Sequence, residues 1–347
     1  MILKIIFIYT EEIVDMKKWL YVSTLALSLA LVGCAEQEEK GADKEIQKEE
    51  VAKQDEAADT SAVKKDEFQD GVDEEAFQKA LASFPTTVPE KIVTTSVPLT
   101  EMLHLLEVTP VGVPTSTNPI PSDFDSITKI GSPMSPDLEV ISSLQTDLIL
   151  GASSLQSSLD QALQGMNLPT AYLPTDSYDD LKLSFKVLGT YFGKEEKVNE
   201  ILQNLVAKEK ELEEQAQGKE LPSVMLVIGT SDSFMVMNDK SYLGSLVERL
   251  GADNIAKSVL KAESTYSPMN LEDIVVADPD IVFVLASGDH GANEDKFKQE
   301  IEKNSAWQQL SAYKNDKIYM LDYSIFGVTS ITNAETALTT IADYFYK

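Results

Sequence analysis

From about Phe84 onward, short apolar runs alternate with stretches whose apolar positions recur every three or four residues. The runs "KIVTTS" (91–96), "DLILGA" (147–152) and "TAYLP" (170–174) predict strands, and "LTEMLHLLE" (99–107), "PDLEVISSL" (136–144) and "LQSSLDQALQGM" (155–166) predict the helices between them. The same order returns after Pro222, with strand "SVMLVIG", helices at "YLGSLVERLG" and "NLEDIVVA", strand "DIVFVLA" and helix "EDKFKQEIEKN". Strand and helix in alternation predict parallel sheets covered by helices. The expected fold is α/β and bilobal, with Rossmann-like lobes at 84–193 and 219–347.

Two segments support matched lobes. "DLEVISSLQTDLIL" from Asp137 and "NLEDIVVADPDIVF" from Asn270 share the order Asx-Leu-Glu-x-Ile, then an Asp that opens an apolar run; Glu139 precedes Asp147, and Glu272 precedes Asp280, by eight residues. Each copy reads as an Asx-capped helix with an acidic first turn that feeds a buried strand. Between the lobes lies "KEEKVNEILQNLVAKEKELEEQAQG" (194–218), with Val198, Ile201, Leu202 and Leu205 at helical spacing and Gly218 as its stop. A helix of this length measures roughly 36 Å at 1.5 Å per residue. It is a stiff connector, and it predicts a cleft of nearly constant width with ligand held at the carboxyl ends of the strands.

Ahead of the lobes the pattern is different. Residues 1–34 carry "MKKWLYVSTLALSLALVGC" from Met16, two lysines and a short apolar run that ends in Leu31-Val32-Gly33-Cys34. This is the layout of an export signal, and its ending is similar to a bacterial lipobox, in which the cysteine thiol is acylated. Met1 to Asp15 fit no part of a signal, which makes Met16 an alternative start. Residues 35–83 are rich in Glu, Asp, Lys, Gln and Ala with no lasting apolar period, and predict a disordered acidic tether. The single cysteine excludes an internal disulfide and a cysteine-based metal site. A net charge of −28 opposes nucleic-acid binding.

Candidate chemistry is sparse. The chain has two histidines, too few for a zinc or manganese receptor. No nucleophile-His-acid set and no glycine-rich phosphate loop is visible, so an enzyme is not expected. His290 stands in "FVLASGDHGANEDKF", at the end of a strand, whereas His104, in "MLHLL", reads as a helix packing residue. Arg249 is the only arginine and sits in a helical stretch, which argues against an arginine clamp for anions.

The plan of two lobes and a connecting helix on a lipid tether resembles the substrate-binding proteins of ABC importers for haem, cobalamin and siderophores. Within that group "GSPMSPDLEVISSL" (131–144), "DKSYLGSLV" (239–247), "DHGANEDKF" (289–297) and "IFGVT" (325–329) are similar to the haem-receptor lipoproteins of the iron-regulated surface determinant system. The resemblance implies a haem receptor at the outer face of the cytoplasmic membrane of a Gram-positive cell. Its transported ligand would be haem b, and a cobalamin or ferric-siderophore receptor is the alternative. Its implied partners are an ABC permease with its ATPase and upstream cell-surface haem carriers, with the receptor itself a monomer.

For individual residues, the resemblance implies Met134 and His290 as axial ligands of haem iron. A thioether and an imidazole form a stable axial pair that leaves no open position for oxygen chemistry. Met269, in "SPMNLE", occupies the place in the second copy that Met134 has in the first, and is a rival. Ser153, Ser154 and Tyr266 are candidates for the propionates or the pocket wall. Glu139 and Glu272 are the expected contacts with the two halves of the permease, and Cys34 is the expected site of lipid attachment.

Processing is testable directly. Cys34→Ala should yield unprocessed or soluble protein that takes up no labelled palmitate; label retained on the variant contradicts the lipobox reading.

Overall fold

The computed structural model describes residues 69–229, 233–286 and 290–346, without the side chains of residues 290–293. The expected signal, Cys34 and the tether up to residue 68 lie outside the described residues.

The first lobe follows helix α1 (Glu74–Leu81) with β1 (Ile92–Thr94), α2 (Val97–Leu105), β2 (Gly112–Val113) and β3 (Thr128–Lys129). A two-stranded hairpin comes next, β4 (Gly131–Ser132) with β5 (Ser135–Pro136), then α3 (Leu138–Ser143), β6 (Leu148–Ala152), α4 (Gln156–Ala162), β7 (Thr170–Leu173) and α5 (Tyr178–Tyr191). Its five-stranded sheet has the order β3-β2-β1-β6-β7, and every pair is parallel. β1 and β6 are buried along their whole length, which is why they appear in the sequence as continuous apolar runs.

Helix α6 (Glu195–Ala216) then leads to the second lobe. That lobe contains β8 (Ser223–Gly229), β9 (Phe234–Met237), α7 (Tyr242–Arg249), β10 (Asp253–Asn254), α8 (Ile255–Ser258), β11 (Tyr266–Pro268) and α9 (Leu271–Ala277). It ends with β12 (Ile281–Ala286), α10 (His290–Lys303), α11 (Ser311–Lys314), β13 (Ile318–Met320), α12 (Tyr323–Phe326) and α13 (Ala334–Tyr346). The sheet order is β11-β9-β8-β12-β13, with β10 added beside the start of β8.

Two expectations need correction. The second sheet is mixed, because β9 runs antiparallel to β8 and to β11. Only residues 230–233 join β8 to β9, far too few for the crossover that parallel neighbours need. The tether, expected to extend to residue 83, ends earlier. Asp73 caps α1 through a 2.7 Å bond from the Ala76 N–H, Phe77 is buried with Lys186 Nζ 4.8 Å from its ring centroid, and Lys186 pairs with Asp70 at 2.7 Å. Few apolar residues suffice for this helix because α5 offers a ready surface for it. Composition alone does not register that surface.

The repeat has a structural counterpart. Asp137 caps α3 through the N–H groups of Glu139 and Val140, and Asn270 caps α9 through that of Glu272. At the far end of each copy, Asp147 accepts the backbone N–H groups of Glu90 and Lys91 at the entry to β1, and Asp280 accepts that of Ser223 at the entry to β8. Each aspartate thus sets the register between the first strand of its lobe and its parallel neighbour, β6 or β12.

The lobes share one apolar core. It runs from Leu103 and Leu188 through Leu202, Leu205 and Leu212 of α6 to Leu246 and Ile341. A Cβ on Gly189 would lie 2.0 Å from a Val198 methyl, so α5 and α6 approach at a distance only glycine permits. Within this core sits a polar junction. Glu209 of α6, 7 % exposed, accepts from Tyr178 Oη at 2.6 Å and from Lys182 Nζ at 3.1 Å, both on α5, and lies 3.5 Å from Arg249 of α7. Arg249 also pairs with Asp179, and Ser245 Oγ accepts the Tyr178 N–H at 2.9 Å. Burial and the neighbouring Glu209 carboxylate raise the Tyr178 phenol far above its usual pKa, so it stays a donor.

This junction predicts that Glu209→Ala, by leaving Lys182 buried without its best partner, lowers unfolding free energy by about 3–5 kcal/mol. Urea denaturation followed by circular dichroism measures it. A loss under about 1 kcal/mol, the range of exposed pairs, contradicts the assigned role.

Candidate functional site

The carboxyl ends of the parallel strands gather on one side of the molecule. β1 leads into Ser96, whose Oγ accepts the Leu99 N–H at the start of α2; β6 leads into Ser153 and Ser154; β12 leads towards α10; β13 leads into α12, whose cap Asp322 accepts from Ser324. Between the two sets of loops lies a cavity of about 890 Å³. Its first-lobe wall is α2, through Val97, Glu101, His104 and Leu105, together with the segment 117–122; its second-lobe wall is the segment 320–324 and the loop 328–333, with Ala286 and Glu294.

A polar tie crosses this cavity between the lobes. Glu101 Oε1 on α2 accepts from Ser330 Oγ at 2.7 Å and from the Thr332 N–H at 3.3 Å. Ser330 is in turn held from below, where Tyr242 Oη donates to its carbonyl at 3.1 Å. Burial, with Glu101 nearby, keeps the Tyr242 phenol protonated well above its usual range. His104, read from the sequence as a packing residue, forms part of the cavity wall. It bonds to Asp123 at 2.8 Å and presents its ring edge-on to Phe124 at 5.3 Å.

Met134 is at the tip of the β4–β5 hairpin and is 66 % exposed, which is unusual for a large apolar side chain. Gly131, at φ +87, starts the turn; a Cβ there would meet the backbone of Ser135 and Asp137 at 2.9 Å. Met269 is partly buried against the core beneath the second sheet. Ser154 Oγ donates to Asp176 at 3.0 Å, and Ser153 is exposed beside it. Tyr266, 48 % exposed on β11, has its phenol pKa raised by burial first, then by Asp176 and Tyr323. Asp176 belongs to the first lobe and Tyr323 to the second, so groups of both lobes act on the Tyr266 phenol. Glu139 and Glu272 are exposed in the first turns of α3 and α9.

His290 opens α10, one helical turn before the cavity residue Glu294; residues 287–289 and the imidazole lie outside the described residues. The sequence placed the helix start at Glu294, because Gly291 and Asn293 have low helix propensity and conceal the first turn. Sequence reasoning also missed Glu101, Asp176 and Tyr323. Glu101 lies inside an ordinary amphipathic helix, and only its partner across the cavity distinguishes it. The proline-rich 117–122 segment was a visible loop signal, but nothing in it indicates what it faces.

Two α/β lobes, one rigid helix between them and a cavity at the strand ends define a substrate-binding protein. The sequence profile of the periplasmic binding protein family matches residues 92–324, and the chain belongs to that family. It is 30 % identical over 258 residues to the high-affinity heme uptake system protein IsdE of Staphylococcus aureus, across 74 % of this chain and 87 % of that protein. Its fold is similar to an ABC transporter substrate-binding protein from Listeria monocytogenes, at 30 % identity and TM-score 0.68, covering 75 % of this chain and 99 % of that one. It is likewise similar to S. aureus IsdE complexed with heme, at 29 % identity and TM-score 0.68 over 74 % and 99 %. Like these transport proteins, the chain serves an ABC importer.

The cavity tie is testable. Glu101→Ala leaves the buried Ser330 hydroxyl and the Thr332 amide short of an acceptor, with an expected destabilisation of about 1–3 kcal/mol. Hydrogen exchange should accelerate at Thr332 while β8 and β12 stay protected; unchanged exchange at Thr332 contradicts a tie that holds the lobes.

Proposed function

We propose that this protein is a haem receptor, lipid-anchored at the outer face of the cytoplasmic membrane, that binds haem between its lobes and delivers it to an ABC permease. Met134 and His290 supply the axial ligands, one from each lobe. The observation that carries this reading is Met134 itself. A thioether raised on a glycine-initiated hairpin and left 66 % exposed has no packing role to explain it, and it lies in the segment that resembles haem receptors. The relative of S. aureus takes part in heme uptake by its name, and its structure holds heme.

Charge supports haem over a ferric siderophore. Arg249, the only arginine, is engaged with Asp179 and Glu209 at the lobe junction, and no lysine lines the cavity among the described residues. An anionic chelate would find little to grip it. Met269 is the weaker candidate for the sulfur ligand because it already packs against the core. Ser153 and Tyr266 offer neutral hydroxyl donors suited to propionates, whereas Ser154 already donates to Asp176. Glu139 and Glu272, exposed at equivalent points of the two copies, suit a permease with two related halves.

Spectroscopy tests the assignment. Added haemin should give a six-coordinate, low-spin Soret spectrum. His290→Ala should abolish or greatly weaken binding, and Met134→Ala should retain haem in an altered spin state. Unchanged spectra in both variants reject the ligand pair, and a loss on Met269→Ala alone assigns the sulfur to the rival.

A further inference from the structure

The residues ahead of α1 cross the lobe junction. Asp70, mostly buried, pairs with Lys186 of α5 at 2.7 Å and accepts the Val72 N–H at 2.9 Å. Val72 packs against the shared apolar core, and Phe77 of α1 is buried with Lys186 Nζ 4.8 Å from its ring centroid. Between these anchors runs Gly71 at φ +70, where a Cβ would stand 3.4 Å from Lys182 Nζ. Lys182 is 1 % exposed, and its neighbours also include Glu209 at 3.1 Å, Asp179 at 3.3 Å and the Tyr178 ring, with its centroid 4.8 Å from the ammonium. Gly71 is itself exposed, so its backbone forms an outer layer over the buried ammonium. Glycine adopts this positive φ freely, whereas a side chain there would be strained.

We propose that residues 70–77 form a strap that seals the lobe junction and couples the chain before it, read as a tether, to the spacing of the lobes. A buried ion cluster keeps its geometry only while water stays out, because water competes for each charge and weakens the attraction between them. Lys182 and Glu209 belong to α5 and α6, and Glu209 passes the contact on to Arg249 of the second lobe. With the strap closed, the cluster is dry and the lobes keep one spacing. With it open, Lys182 is wetted, Glu209 and Arg249 lose their low-dielectric setting, and α7 gains freedom against α5. The strap rests on a few side chains, Asp70, Val72 and Phe77 foremost, so it opens at lower cost than the lobes unfold. The coupling is the same whichever ligand fills the cleft.

Hydrogen exchange and amine labelling of the full chain test it. Phe77→Ala with Gln78→Pro removes the buried ring and places a proline inside an eight-residue helix, which opens α1. The Tyr178 N–H, which donates to Ser245 Oγ of α7, reports on the junction. Its exchange should accelerate by at least about tenfold, and acetylation of Lys182, followed by mass spectrometry, should rise by a similar factor while β6 and β12 stay protected. Asp70→Asn keeps the helix and removes the charge that faces Lys186, and both readouts should rise by about threefold. Glu75→Ala, exposed on α1, should change neither. If α1 amides exchange freely in the proline variant while Tyr178 and Lys182 behave as in the wild type, the strap does not seal the junction. If α1 amides stay protected there, Phe77 does not hold the strap and the assignment is overturned. If β6 and β12 lose protection as well, Asp70→Asn decides, and unchanged Tyr178 exchange and Lys182 labelling in that variant overturn the proposal.

Discussion

The carboxylate of Glu209 is the point on which the arrangement of the lobes depends. A charge so deeply buried is tolerated only while its partners stay in place, and those partners come from two other helices: Tyr178 and Lys182 on α5, and Arg249 on α7. Sliding α7 against α5 would part Arg249 from Asp179 and Ser245 from the Tyr178 N–H, and would leave charge stranded in a low-dielectric core. The apolar contacts of Leu202, Leu205 and Leu212 along α6 exclude the water that could otherwise compensate. Lobe spacing is therefore a consequence of buried electrostatics as much as of helix stiffness.

A fixed spacing determines what the cleft can do. With the junction set at one place and Glu101 bonded to Ser330 and Thr332 at another, the cavity exists before a ligand arrives. Selectivity then follows from the shape and charge already present, with little cost for reorganisation. Apolar side chains and carboxylates share the lining, and Ser154 donates to Asp176. Met134 is presented on its hairpin, and His290 stands at the head of α10.

The repeated segments show how one local solution serves twice. Asp147 and Asp280 each accept backbone N–H groups at the entry to the first strand of their lobe. Asp137 and Asn270 cap the preceding helices, so Glu139 and Glu272 come to equivalent exposed positions. The lobes diverge elsewhere. The short β8–β9 link turns the second sheet mixed, whereas the first stays parallel.

The sequence by itself determined the elements whose information is local: β1, β6, β8 and β12 as buried apolar runs, α6 from its periodic leucines and glycine stop, and the capped helices of the repeat. It also drew attention to Met134, through the resemblance of its segment to haem receptors, and to Ser154 and Tyr266 as hydroxyl candidates. Only the tertiary structure decided that α1 is folded, that β9 and β11 run antiparallel, that Glu101 faces Ser330 and that Arg249 serves the lobe junction. Those outcomes depend on partners distant along the chain. Periodicity and capping record what a segment prefers, whereas the choice among surfaces and charges it can meet is made only when the whole chain packs.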